Sequence, residues 1–191
     1  MTTSHHRGLD ELTHELLSAG WIRQAIDVRH TPTPESGVAF EVLTQPRLGL
    51  EIEAVSTGGN DFPSIGLHPQ PEPGEPFRRW SAGIFDVPLA VILAAAHDAC
   101  ANIGDQTPVF ERLAHAGWTL AEQTFKGSKP IFQHWISPDG ERAVWWSRYG
   151  RNQSTPGSWS ITWPPHALPC PYVETGLSTP PAVICAFAQT N

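Results

Sequence analysis

The chain repeats parts of its own sequence at a spacing of about ninety residues. Residues 16–21 read Leu-Leu-Ser-Ala-Gly-Trp, and residues 113–118 read Leu-Ala-His-Ala-Gly-Trp. The stretch 88–94 returns at 180–186 with the same Pro, Ala-Val-Ile and final Ala. Recurrence at one period is typical of a tandem duplication, in which each copy is one structural unit. The sequence therefore predicts a first repeat over residues 8–104 and a second over residues 105–191, after a flexible tail of residues 1–7.

Both repeats show the same predicted order of elements. A short helix with an apolar face ends at Gly20 or Gly117, strands follow, and a helix opened by proline closes the repeat. The predicted strands are 21–28, 38–43, 48–55 and 79–85 in the first repeat and 118–125, 131–136, 143–149 and 159–163 in the second. The closing helices, 88–101 and 180–189, are apolar on almost every side, so we expect them to be buried and to pack the repeats together. The fold class expected is α+β: two tandem pseudo-repeats, each a short helix, a four-stranded antiparallel meander and a closing helix.

The composition narrows the classes of function. A hydrophobic content of 40% with eight Trp and eight Phe is enough for a core. The longest apolar stretch, 87–96, has about half the length of a membrane-spanning helix, so no membrane association is expected. Three cysteines without paired spacing suit a reducing compartment, and we expect a cytoplasmic protein.

Catalytic and metal-binding signatures do not emerge from the sequence. Its nine histidines lack the spacing of metal ligands, and neither a glycine-rich phosphate loop nor a Gly-x-Ser-x-Gly elbow is present. We therefore predict no metal and no cofactor and favour a non-catalytic binding module. An enzyme whose Cys and His meet in space is left open, although no sequence feature supports it.

The stretch 141–154 is rich in Trp and Arg and suggests a binding surface. Neighbouring residues of a strand face opposite sides of a sheet, so Trp146 shares a side with Arg142 and Arg148 while Trp145 lies on the other. An exposed Trp beside Arg is typical of a surface for single-stranded DNA or RNA, where rings stack on bases and cations meet phosphates. The predicted nucleic-acid-binding residues are Lys126, Lys129, Arg142, Trp146, Arg148 and Arg151. The alternative is that Arg covers Trp by a cation–π contact on a solvated sheet face.

Charge and proline content support a different kind of partner. The net charge is −7, and the acidic residues concentrate in residues 1–106, where they would repel phosphates. Residues 68–76 and 163–171 are rich in Pro and are either stiff surface segments or docking segments for an aromatic groove. A protein–protein interaction or scaffold module that uses these features is thus the alternative function, and the oligomeric state is left open.

Short motifs suggest a family. The Ala-Gly-Trp opening, the Trp-Ser pairs at residues 80–81 and 159–160, and the closing Pro-x-x-Val-Ile helix together resemble the actinomycete family called domain of unknown function three-one-seven. The similarity spans residues 9–189. It implies a duplicated unit in an actinomycete cytoplasm, and it implies no activity and no site residues. Four strands followed by a helix also look like the unit of Whirly-type single-stranded DNA-binding proteins, as an analogy of fold alone.

Overall fold

The computed structural model describes residues 7–24, 39–47, 49–56, 64–70, 80–150, 156–163 and 171–190. The chain divides into two compact units, Met1–Asp86 and Val87–Asn191. The described elements of the first unit are α1 (Arg7–Ser18), β1 (Ile22–Arg23), β2 (Ala39–Gln45), β3 (Leu50–Ser56), β4 (Ser64–Pro69) and β5 (Ala82–Phe85). Those of the second unit are α2 (Leu89–Ala101), α3 (Val109–His115), β6 (Thr119–Lys126), β7 (Lys129–Ile136), β8 (Ala143–Tyr149), β9 (Pro156–Thr162), β10 (Tyr172–Gly176) and α4 (Pro181–Gln189).

The first unit packs one helix on a sheet. Its strands pair in chain order, β1 to β5, and every pair is antiparallel. The register places Leu43, Ile52 and Leu67 side by side, and all three are buried. Helix α1 contacts β2 and β3 and has three buried leucines, Leu9, Leu12 and Leu16. The core of this unit therefore lies between the apolar face of α1 and one face of the sheet.

Both Gly-Trp segments end a helix in the same way. Gly20 and Gly117 have φ values of +84° and +82°, in the left-handed region that favours glycine. The N–H of Trp21 donates to the carbonyl of Leu16, and the N–H of Trp118 donates to that of Leu113, each at 3.0 Å. These bonds satisfy carbonyls that the end of a helix leaves without a partner. The repeated sequence therefore has a repeated local structure at its opening.

The second unit has two helices packed around a third. Its strands pair in the order β6 to β10, all antiparallel. Helix α4 contacts α2, α3 and β9, and its residues 182–188 are all buried. The predicted burial is confirmed for α4 but not for α2, of which Ala90 and Ala94 are exposed. The two closing helices pack on each other, but within one unit, so they do not join the two predicted repeats. Helix α2, which the sequence assigned to the first repeat, belongs to the second compact unit.

The predicted repeat of one helix, a four-stranded meander and a closing helix is wrong. The described residues contain ten antiparallel strands, five in each unit, and four helices. The additional strands are β4 and β10. Neither strand was predicted, because glycine and proline are uncommon in strands. Strand β4 contains Gly66 and ends at Pro69, and β10 begins directly after Pro171. The α+β character of the chain is confirmed.

The helices are short. Helix α2 has 13 residues, whereas a membrane-spanning helix needs about 20. Among the described residues, no helix is long and apolar enough to cross a membrane. Of the predicted tail, residues 1–6 lie outside the described residues, and Arg7 begins α1.

Candidate functional site

Arg142 is a buried structural residue in the second unit. Its exposed fraction is 8%. Nη1 donates to the carbonyl of Thr190 at 2.8 Å, and Nη2 donates to the Asp139 carboxylate at 3.4 Å. Its guanidinium also lies over the Trp118 ring, 6.0 Å from the centroid. Arg142 therefore connects the turn before β8 to the end of α4, away from the surface that a phosphate would approach.

The carboxylate beside Arg142 is held in its charged form. A hydrogen bond from the Ser137 hydroxyl lowers the pKa of Asp139, and the N–H of Glu141 and the charge of Arg142 lower it further. Ser137 also accepts a hydrogen bond from the N–H of Arg142 at 2.9 Å. This turn is thus a connected network of polar groups that fixes the start of β8.

Trp146 is half-buried in an aromatic cluster formed by Phe110, Trp135, Trp146 and Trp159. The Phe110 ring lies 5.8 Å from that of Trp135, 5.6 Å from that of Trp146 and 5.1 Å from that of Trp159. The first of these contacts is stacked, the second edge-on and the third tilted, and such arrangements are favourable between aromatic rings. Trp145 instead stacks on His134 with ring centroids 3.6 Å apart. The two tryptophans therefore lie on opposite faces of the sheet, as predicted, and Trp146 is packed under α3.

Lys126, Lys129 and Tyr149 form an exposed group, which we call the lysine–tyrosine surface. Lys126 pairs directly with Lys129 across the turn between β6 and β7. Nζ of Lys126 lies 5.8 Å from the centroid of the Tyr149 ring, whose residue is 36% exposed. The two lysines are the only lysines of the whole chain. Like charges directly opposite each other destabilise a strand pair unless an anion offsets them. The arrangement therefore favours an anionic ligand.

Arg148 and Phe125 extend the exposed area to the other face of the sheet. Arg148 is exposed, and as the neighbour of Tyr149 in β8 it faces the opposite side. Phe125 precedes Lys126 in β6 and is 54% exposed. Cations and aromatic rings thus lie on both faces of the same end of the sheet. Arg151 lies outside the described residues.

The sequence around this end of the sheet carries no acidic residue. Between Glu122 and Asp139, and again between Glu141 and Glu174, the chain has no Asp or Glu. Lys126, Lys129 and Arg148 all fall within these two stretches. A ligand phosphate at this end would therefore be attracted by these cations, and no carboxylate from these two stretches would repel it.

The structure places three of the six predicted residues together and adds two residues that were not predicted. Of the six predicted residues, Lys126, Lys129 and Arg148 lie exposed at one end of the sheet, whereas Arg142 and Trp146 pack elsewhere. The missed residues, Phe125 and Tyr149, are the exposed aromatic side chains at that end. A signal for them was present, because each directly adjoins a predicted cation in the sequence.

The two described cysteines are buried and poorly ionised. Burial raises the pKa of the Cys100 thiol to about 11. Burial also raises the pKa of Cys185 to about 11; the nearby charge of Arg112 lowers this pKa, whereas the carboxylates of Asp105 and Asp98 raise it. The thiolate is the reactive form of cysteine, so at neutral pH both thiols are inert. Cys170 lies outside the described residues.

We therefore expect a Cys170→Ser variant to show no rapid maleimide labelling when folded at neutral pH. Labelling of the folded chain should become faster as the pH rises toward the thiol pKa values. In denaturant the thiols of Cys100 and Cys185 should both react rapidly. Mass spectrometry of the labelled chain checks this result. Rapid labelling of the folded variant at neutral pH would show that these thiols are accessible and ionised.

Metal ligands are not grouped in the part of the chain that the structure describes. No group of three or more His, Cys, Asp or Glu side chains there could hold a metal ion. A histidine–carboxylate contact occurs in the first unit, where His68 Nε2 lies 3.6 Å from Glu53 Oε2. One imidazole and one carboxylate are fewer ligands than a structural zinc site uses.

Comparison with known proteins adds no relative. No family model, no curated protein and no solved structure matches the chain. The resemblance to the actinomycete family therefore stays a prediction, as do the tandem duplication and the interaction role of the proline-rich segments. Most of those segments, residues 71–76 and 164–170, lies outside the described residues.

Proposed function

We propose that the second unit is a non-catalytic module that binds single-stranded DNA or RNA at the lysine–tyrosine surface. The observation that carries the proposal is the direct pairing of the only two lysines beside an exposed tyrosine ring. A phosphate placed between Lys126 and Lys129 would accept hydrogen bonds from both and remove their repulsion. A base stacked on Tyr149 would add about 1–3 kcal/mol.

A single strand fits this surface better than a duplex does. The exposed rings, Tyr149 and Phe125, need bases that are free to unstack, as they are in single strands. Arg148 can contact phosphates of a strand that passes around the end of the sheet. Reading a duplex groove would call for a basic helix, and the Arg112 guanidinium of α3 is already paired with Asp105 at 3.1 Å.

The proposal places the protein in the cytoplasm, where unpaired cysteines are stable. The pKa values of the two described cysteines favour a binding role over cysteine-based catalysis. A catalytic thiol is activated by a lowered pKa or an adjacent base, whereas the pKa values of Cys100 and Cys185 are raised to about 11.

Removing both lysines is expected to weaken binding and its dependence on salt. Fluorescence anisotropy with labelled single-stranded DNA and RNA would compare the parent with Lys126→Ala/Lys129→Ala. Each phosphate contact contributes about 0.7 to the slope of log affinity against log salt concentration on single strands. The double variant should therefore lose about 1.4 of that slope, together with a large part of its affinity at low salt.

Matched variants separate the site from overall charge. Arg23→Ala/Arg47→Ala changes the net charge equally by altering two exposed cations of the first unit, and it should bind as the parent does. Tyr149→Ala should weaken binding by roughly 5- to 150-fold, the equivalent of one stacked base, whereas Tyr149→Phe should retain it. The proposal fails if the parent does not bind at low salt, or if the lysine and arginine double variants bind equally.

A further inference from the structure

Strand β6 forms an open edge of the sheet in the second unit. It pairs with β7 on one side, and no described strand pairs with its other side. All its residues except Gln123 are exposed. An open edge presents unpaired N–H and C=O groups that can pair with another strand. Main-chain pairing at this edge is therefore sterically possible for a second chain.

The second half of β6 contains no extra residue of its own, although its pairing with β7 shifts once there. An irregularity in the pairing falls between Leu120 and Glu122, after which Glu122, Gln123 and Thr124 pair with consecutive residues of β7. The next shift skips Ile131 of β7, so β6 itself continues without an extra residue to Lys126. Alternation then places Glu122, Thr124 and Lys126 on one face and Gln123 and Phe125 on the other.

We infer that β6 pairs with β6 of a second copy of this chain, antiparallel and centred on Thr124. In this register Glu122 of each copy lies opposite the partner's Lys126, and Thr124 lies opposite the partner's Thr124. Opposite charges and Thr–Thr pairs are both favourable across strands. The two-fold symmetry forms both Glu–Lys pairs at once, which gives one isologous interface.

The pattern of charges selects this register. Centring the pair on Glu122 would place two carboxylates opposite each other, and centring it on Lys126 would do the same with two ammonium groups. Among registers that pair this strand with itself, only the one centred on Thr124 places Glu122 opposite Lys126. On the other face it brings Gln123 of each copy beside the partner's Phe125, a side chain that is otherwise exposed. The pairing involves one short strand from each copy, so we expect an equilibrium that depends on protein concentration.

Charge reversal tests this pairing without nucleic acid present. In sedimentation equilibrium the parent should change from the mass of one chain to twice that mass as concentration rises. Glu122→Lys and Lys126→Glu should each remain monomeric, because each variant places like charges opposite each other. The double variant Glu122→Lys/Lys126→Glu restores both pairs with their signs exchanged and should dimerise again. Circular dichroism would check that each variant is folded.

A cysteine on the symmetry axis gives a second readout. Residues directly opposite across antiparallel strands have Cβ atoms about 4.5–5.5 Å apart, close enough for a disulfide after small adjustment. Thr124→Cys should therefore form a covalent dimer on oxidation, and Thr119→Cys, exposed in the same strand, should not. A parent that stays monomeric, a double variant that fails to regain the dimer, or equal crosslinking at both positions would overturn the inference. Tyr149 lies in β8 and takes no part in this pairing, so Tyr149→Ala should leave the dimer intact, and its oligonucleotide binding reports on the proposed function separately.

Discussion

Replacing Phe187 with alanine is expected to lower the free energy of unfolding by about 3–5 kcal/mol, the usual cost of emptying a buried aromatic site. The side chain is completely buried within α4, and the residues from 182 to 188 are buried as well. Helices α2 and α3 and strand β9 all pack on α4. The cavity left by the substitution would therefore be enclosed on several sides, and the surrounding residues could fill little of it. Urea denaturation followed by circular dichroism measures the change.

An exposed phenylalanine provides the control for this substitution. Phe125 is 54% exposed, so Phe125→Ala should change the free energy of unfolding by no more than about 0.5 kcal/mol. The comparison is made at low protein concentration, at which the proposed strand pairing is not populated. Equal effects of the two substitutions would contradict the placement of α4 at the centre of the second unit.

Gly157→Ala is expected to destabilise the second unit by about 3 kcal/mol or more, at the upper end of the cost of overpacking. A Cβ atom at Gly157 would lie 1.8 Å from the carbonyl oxygen of Ser147 and 2.4 Å from the carbonyl carbon of Arg148. Both contacts are with backbone, so no side-chain rotation can relieve them. Strands β8 and β9 would have to separate next to Tyr149. The denaturation midpoint should fall accordingly.

Gly104→Ala is the matched control for that change. A Cβ atom there would meet no other atom within 4 Å, and Gly104 has no positive φ. Its effect should stay within about 0.5 kcal/mol, as for other surface substitutions. If Gly157→Ala were as mild as Gly104→Ala, the close approach of β8 and β9 at this point would be wrong.

The helices and several strands could be predicted because their sequence patterns are local. The apolar face of α1 and its glycine ending are visible in the sequence, and so is the continuous apolar run of α4. Strand β8 has the predicted bounds, since aromatic and β-branched residues follow a clear turn. Strands β4 and β10 were not predicted because they are bordered by proline, and their pairing partners, not their composition, make them strands.

The part of the candidate site that follows from strand alternation could be predicted, whereas the part that depends on distant residues could not. Alternation along β8 correctly separated Trp145 from Trp146. Trp146 is partly covered by Phe110, which belongs to α3. Arg142 is held in its buried position by a hydrogen bond to Thr190 at the end of α4. Both partners are distant in the sequence, so periodicity could not indicate them. The contact between Lys126 and Tyr149 likewise exists only once the strands are paired.

Protection of the two lysines from acetylation would test directly whether nucleic acid binds at the lysine–tyrosine surface. Because the chain has no other lysine, a lysine-selective acylating reagent followed by mass spectrometry reports on Lys126 and Lys129 alone among its side-chain amines. We predict that saturating single-stranded oligonucleotide slows acetylation of both and that added salt restores the original rates. An oligonucleotide that binds while both lysines react at their unbound rates, or that does not bind at low salt, would contradict binding at this surface.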